Sequence, residues 1–192
     1  MKKLAHPFRG EDVRGLRAGE AVALSGRVWT GRDRLHKFLA EGGAAPVSLR
    51  DGAVYHCGPV VVETPDGWKA VAAGPTTSSR ENSYMPRIIE EHGVRVIIGK
   101  GGMDAATQAA CVRFGCAYLQ AVGGAGALIA RRVTRVAEVH LLEKFGAAEA
   151  VWGFDLENFP LIVGIDARGG NLYAETASAS RKKLDGLLES IK

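Results

Sequence analysis

The sequence predicts a mixed α/β domain, and three observations carry that expectation. Apolar runs of strand length alternate with amphipathic helical stretches through the middle of the chain. The first half instead holds short strands joined by tight turns, which adds an antiparallel part. The 25 glycines gather at the junctions between strand-like and helix-like segments, where a chain of this class brings its loops near a ligand.

Ala21 to Trp29 alternates as a strand does. Thr30-Gly31-Arg32-Asp33 then opens a helix, with Thr30 and Asp33 spaced as an N-cap and its N3 acid. Leu35, Phe38 and Leu39 share one face of that helix, and Gly42-Gly43 stops it. Val54–Cys57, Val60–Thr64 and Lys69–Ala73 are short strands, the last two joined by a turn at Pro65-Asp66-Gly67. A helix over Pro86–His92 ends at Gly93, and Val94–Ile98 is a buried strand. Gly99-Lys100-Gly101-Gly102 leads into a helix from about Asp104 to Phe114. Ala117–Val122 is the next strand, followed by the small-residue patch Gly123 to Gly126. Val151–Leu156 and Leu161–Asp166 are two further strands. Ser178–Ile191 is a closing helix with Leu184, Leu187, Leu188 and Ile191 on its apolar side. The expected organisation is one domain over residues 1–192, with 1–20 an amino-terminal extension and 168–192 a helical tail.

Composition narrows the function classes. A hydrophobic fraction of 46% and a charged fraction of 24% are ordinary for a globular protein. The net charge of +4 is modest, and the basic residues are scattered apart from Arg131-Arg132 and Lys182-Lys183. That pattern gives nucleic-acid binding little support and suits a small anionic substrate. The start of the chain lacks the apolar core of a signal peptide, and no apolar run reaches the ~18 residues of a membrane span. Cys57, Cys111 and Cys116 form a sparse, odd set that suggests no disulfide framework, so a reducing cytoplasm is the expected location.

Three junctions place a cation beside glycine: Thr30-Gly31-Arg32-Asp33, Gly74-Pro75-Thr76-Thr77-Ser78-Ser79-Arg80, and Gly99-Lys100-Gly101-Gly102. Glycine lets a backbone N–H approach an anion closely, and the cation completes the charge match. Arg32 and Arg80 can each hold a carboxylate through paired hydrogen bonds, while Lys100 acts as a point charge. A dicarboxylate needs two such grips at a fixed separation. Taken singly, Arg32 also fits a solvated helix start, and Gly-Pro-Thr-Thr a turn with a capping hydroxyl. The Gly-Lys-Gly-Gly junction between a strand and a helix is the most specific of the three.

Other chemistries find no pattern. A Walker loop needs a glycine where Val94 stands and a hydroxyl where Gly101 stands, and no G-x-G-x-x-G fits from Gly99 onward. His6, His36, His56, His92 and His140 are far apart, and Cys111 and Cys116 are read as small buried hydrophobes; no metal site is expected in this chain. Ser25, Ser78, Ser79 and Ser83 lack a nucleophile elbow. Thr76 and Thr77 are the only hydroxyls beside both a glycine turn and an arginine.

Taken in order, these blocks resemble a known family. Thr30-Gly31-Arg32-Asp33 with His36-Lys37, Tyr55-His56-Cys57-Gly58-Pro59, Gly74 to Arg80 and Ile98 to Met103 are similar to the carboxy-terminal domain of class I, iron–sulfur fumarases. They are equally similar to the beta subunit of L(+)-tartrate dehydratase. Ala121 to Ala125 and Phe159 to Val163 continue the likeness, which runs from about Ala21 to Asp166. The resemblance implies a swivelling β/β/α domain that closes over a catalytic subunit carrying a 4Fe-4S cluster on three cysteines. Arg32, Arg80 and Lys100 would bind carboxylates, with Thr77 and Gly101 as further substrate contacts. Thr76 would lie near the proton transferred at carbon. One departure is Glu81-Asn82, where the family commonly has Met-Asp after the arginine.

The expected function is thus a beta subunit of an iron–sulfur hydro-lyase interconverting fumarate and malate, with L(+)-tartrate dehydration as the alternative. It would act only with a cluster-bearing alpha subunit, in a dimer of heterodimers. The rival from another class is a non-catalytic anion- or nucleotide-binding module built on Gly99 to Gly102.

Overall fold

The computed structural model describes residues 1–190. Its frame is a run of parallel strands: β1 (Lys2–Ala5), β2 (Ala21–Thr30), β3 (Ala53–Tyr55), β6 (Val96–Gly99) and β7 (Ala117–Gln120). The first two pair with each other, and β2, β3, β6 and β7 follow side by side. The long strand β9 (Val151–Ile165) runs antiparallel to β7 on one side and to β2 on the other, so these pairings close into a circuit. Strand β8 (Val133–His140) lies antiparallel along the first half of β9. The hairpin of β4 (Val60–Thr64) and β5 (Gly67–Ala72) stands apart as a small sheet, turning at Gly67 with φ +107°.

Strand periodicity divides the core in two. Ala53 and Tyr55, Val96 and Ile98, and Ala117 and Leu119 point into one cluster with Val22, Trp152 and Phe154. The intervening Val54, Ile97 and Tyr118 point into the other, against helices α2 (Asp33–Ala40), α3 (Met85–His92) and α4 (Ala105–Phe114). These strands are apolar throughout because both faces are covered. Trp68 of the hairpin packs edge-on to Trp152 at 5.2 Å between centroids, so the layers run hairpin, sheet, helices. That is the mixed α/β sheet with β/β/α layering expected from sequence.

Helix ends follow local chemistry. Gly93 and Gly115 end α3 and α4 at φ +66° and +72°, a conformation glycine adopts without strain. The Asp104 carboxylate caps α4 by accepting from Thr107 N–H at 2.9 Å.

Several expectations change. Thr30 is not a helix cap: it is fully buried, donates to Ala150 O at 3.1 Å and accepts from Trp152 N–H at 2.9 Å, clamping β2 to β9. The residue before α2 is Arg32, which makes no side-chain cap. The two strands expected between Val151 and Asp166 are one, because β9 passes through Asn158 at φ +48° with Pro160 opposite Ala23. A matching irregularity in β2 at Gly26 takes up the bend. Residues 1–20, expected as an extension, supply β1, the short helix α1 (Gly10–Arg14) and the buried side chains Phe8, Val13 and Leu16. Two short helices, α5 (Gly126–Ala130) and α6 (Leu142–Phe145), flank β8. The closing helix α7 (Leu172–Ser190) is longer than expected, and its apolar stripe does not close on the core: Leu184, Leu187 and Leu188 are exposed. Ile191, expected on that stripe, lies outside the described residues.

Candidate active site

The parallel strands β2, β3, β6 and β7 deliver their carboxyl ends to one edge, the usual ligand edge of such a sheet. After β2 come Gly31 and Arg32; after β3, His56 to Gly58; after β6, Lys100 to Gly102; after β7, Ala121 to Gly124. The Gly74–Arg80 segment returns over this edge. Pro75 bridges to Cys57 and Thr77 to Lys100, while Thr76 N–H donates to His56 O at 2.6 Å and Ser78 N–H to Lys100 O at 2.9 Å. All three cation-bearing junctions therefore share one rim.

Their charges are not equally free. Arg80 makes a two-pronged bond to Asp33, Nε to Oδ1 at 3.0 Å and Nη2 to Oδ2 at 2.8 Å. Arg32 lies 3.4 Å from Glu149 Oε1 and 4.0 Å from Asp33 Oδ2. Its guanidinium crosses Gly58 so closely that a Cβ there would sit 2.5 Å from Nη1 and 2.8 Å from Ala148 O, so only glycine fits. Lys100 is half-buried, its stem passing Gly123, and its ammonium forms no ion pair among the described residues. The Thr76 side chain is half-buried and that of Thr77 exposed. Gly101 and Gly102 turn the chain at φ +84° and +81°; the Gly101 N–H already donates to Gln120 Oε1 at 3.1 Å.

Below the rim lies a polar layer that sequence reasoning did not assemble. Tyr118 O–H donates to Ser78 Oγ at 3.1 Å, and Ser78 Oγ meets His56 Nδ1 at 2.9 Å. Gly99 makes room for this, since a Cβ there would stand 1.9 Å from Ser78 Oγ. His36 and His56 meet edge to face at 4.9 Å. His36 Nδ1 must carry its hydrogen, because its partner at 2.7 Å, Arg32 O, can only accept. Burial holds both imidazoles neutral, His36 at about 4 and His56 well below its usual range. Glu81, wholly buried, lies 3.4 Å from His36 Nδ1; burial, with Asp33 nearby, raises its carboxyl to about 7. No spacing in the sequence signals this layer, because Glu81 and His36 lie in separate segments that meet only in the fold. The companion residue Asn82 accepts from Asp104 N–H at 3.2 Å and ties the loop to α4.

Cys57, Cys111 and Cys116 are buried, and burial raises the Cys57 and Cys116 thiols. Among the described residues no set of three or more His, Cys, Asp or Glu side chains is disposed to hold a metal ion. This donor set does not fit a 4Fe-4S cluster, which requires several exposed thiolates converging on one point. No helix among the described residues is long and apolar enough to cross a membrane.

Comparison with known proteins gives the chain a family. The family model described as Fumarase C-terminus matches residues 3–176. A Geobacillus stearothermophilus protein named for class I fumarate hydratase is 39% identical over 189 residues; the match covers 98% of this chain but 36% of that protein. The L(+)-tartrate dehydratase subunit beta of Escherichia coli K12 is 37% identical over 194 residues, covering 100% of this chain and 96% of the relative. The same identity and coverage hold for the subunit of that name in Shigella flexneri. The chain belongs to the fumarase C-terminus family.

Proposed function

We propose that this chain is the beta subunit of a hydro-lyase acting on a C4 dicarboxylate, with reversible hydration of fumarate to malate as its reaction. The observation that carries the reading is the shared rim. It brings together an ammonium without an ion-pair partner among the described residues, one guanidinium held two-pronged by a carboxylate, a second guanidinium beside Glu149, and the Thr76-Thr77 segment. The two-pronged Arg80–Asp33 pair supports a reading in which that arginine takes a substrate carboxylate in the same way. Arg32, Arg80 and Lys100 would bind and orient the two carboxylates. Thr77 and the Gly101 turn would limit where the substrate backbone lies. Thr76 would sit beside the carbon that gains or loses the proton. An unassisted threonine is a weak base, so that role needs a carboxylate from outside this chain.

The 4Fe-4S cluster implied by the family resemblance would be held outside these residues, whose cysteines do not suit it; the name subunit beta of the Escherichia coli relative favours a separate alpha subunit as its holder. A cytoplasmic dimer of heterodimers is the assembly this reading expects. L(+)-tartrate dehydration is the second reading. Its support is the 37% identity to the L(+)-tartrate dehydratase subunit beta of Escherichia coli K12 along the whole of this chain.

The test is reconstitution. The chain alone should turn over neither malate, fumarate nor tartrate, and should gain activity when combined anaerobically with a cluster-bearing partner. Full activity of the chain alone would overturn the reading. Tight phosphate binding by the isolated chain, unaffected by Arg32→Ala, would favour the anion-binding module instead.

A further inference from the structure

Among the described residues, five buried polar atoms beneath the rim make no hydrogen bond: Arg32 Nε, His36 Nε2, His56 Nε2 and both Glu81 carboxyl oxygens. Buried groups of this kind are rare and call for a physical reason. Here they all belong to the layer that supports the Arg32 and Arg80 junctions. Glu81 follows Arg80 directly in the chain and faces His36 of α2, the helix that begins at Asp33 just after Arg32.

We propose that Glu81 is a positioning residue of the candidate site: with its buried carboxyl neutral the rim keeps a net positive charge for a dicarboxylate, and its ionisation cancels that charge. The inference rests on the dicarboxylate reading above. The charged groups around Glu81 are Arg32 just before α2, Asp33 of α2, Arg80 from its own turn and Glu149 from the segment before β9; His36 of α2 lies 3.4 Å away, with His56 packed on its far side. Both histidines are neutral, so they leave the charge balance to the others. With Glu81 protonated, Arg32, Arg80 and Lys100 outweigh Asp33 and Glu149 by one positive charge. With Glu81 ionised, the rim is neutral overall, and its attraction for a doubly charged acid is weakened.

Burial and Asp33 place that change at about 7. Dicarboxylate affinity should therefore fall as pH rises through neutrality. One added unit charge near the guanidiniums corresponds to a rise in KM of roughly tenfold between pH 6.5 and 8.5.

The experiment compares the assembled enzyme carrying wild-type chain with one carrying Glu81→Gln, whose amide cannot ionise. KM for malate should rise with pH in the wild type and stay level in the variant. A second measurement follows the Glu81 side-chain carboxyl by 13C NMR in the chain alone, assigned by its loss in Glu81→Gln; its midpoint should lie near 7. A level wild-type KM, a rise that persists in Glu81→Gln, or a midpoint near 4.5 would each overturn the proposal. An assembled enzyme that turns over no dicarboxylate would instead overturn the parent reading, along with the inference built on it.

Discussion

Replacing Glu81 by Gln should stabilise the protein in alkaline solution and leave it nearly unchanged in mild acid. The carboxyl is wholly buried and titrates at about 7 in the fold, against an ordinary 4.5. Between these values the native state keeps a proton that the unfolded chain has released. The stability contributed by the neutral acid is therefore complete below 4.5 and lost as pH rises through 7. At about 1.4 kcal/mol per pH interval, the ionised carboxylate costs about 3 kcal/mol at pH 8. Glutamine removes that cost. Any packing or hydrogen-bonding penalty of its amide is the same at both pH values and cancels in the comparison. Urea unfolding followed by circular dichroism at pH 5 and pH 8 measures the effect. The stability difference between variant and wild type should grow by about 2.5 kcal/mol from the lower pH to the higher, part of the cost being already present at pH 5. A difference that does not change with pH would refute the reasoning, because it would mean that Glu81 is ionised in the fold without strain.

His36 should act in the opposite sense. Its imidazole falls from 6.5 to about 4 through burial, so the fold loses stability as pH drops from 6.5 to 4; a His36→Gln variant should lack that loss in acid unfolding, and an unchanged acid limb would contradict the assignment. Gly99→Ala should lower stability by about 3 kcal/mol, since its Cβ would stand 1.9 Å from Ser78 Oγ and disrupt the Ser78–His56 contact; an unaltered urea midpoint would show that the layer repacks freely. Changing Leu184, Leu187 and Leu188 together to Gln should alter stability by no more than about 1 kcal/mol, because all three are exposed; a large loss would show that α7 packs on the fold.

Much of the frame was legible because local rules and tertiary packing agree. Gly93 after Pro86–His92, and Asp104 before α4, mark helix ends through backbone chemistry that needs no distant partner. The two-faced burial of Val96 to Ile98 reads directly from an unbroken apolar run. Failures arose where a distant contact decides. Thr30 has the spacing of a cap, yet its hydroxyl is used by β9, more than a hundred residues away. Pro160 looks like a strand break, but its missing N–H is tolerated at the bend opposite Ala23. The stripe on α7 has helical period without a surface to meet among the described residues.

The candidate site was legible in its cations and not in their pairing. Three glycine junctions were visible as motifs, and the strand order brings them to one rim. That Asp33 holds Arg80 and Glu149 lies beside Arg32 depends on loops meeting across the sheet edge, which no spacing encodes. The Glu81 layer was missed because a glutamate after an exposed arginine reads as surface; the 3-10 turn Ser78–Glu81 rotates it inward.

The central claim is that the rim cations hold a dicarboxylate, and Lys100 tests it most cleanly because it has no ion-pair partner to lose among the described residues. In the enzyme assembled with a cluster-bearing partner, Lys100→Ala should lower kcat/KM for the dicarboxylate by roughly a hundredfold, the loss expected for one charged hydrogen-bonding group. Arg32→Ala should do likewise. Wild-type kcat/KM in the correctly folded Lys100→Ala enzyme would contradict the account.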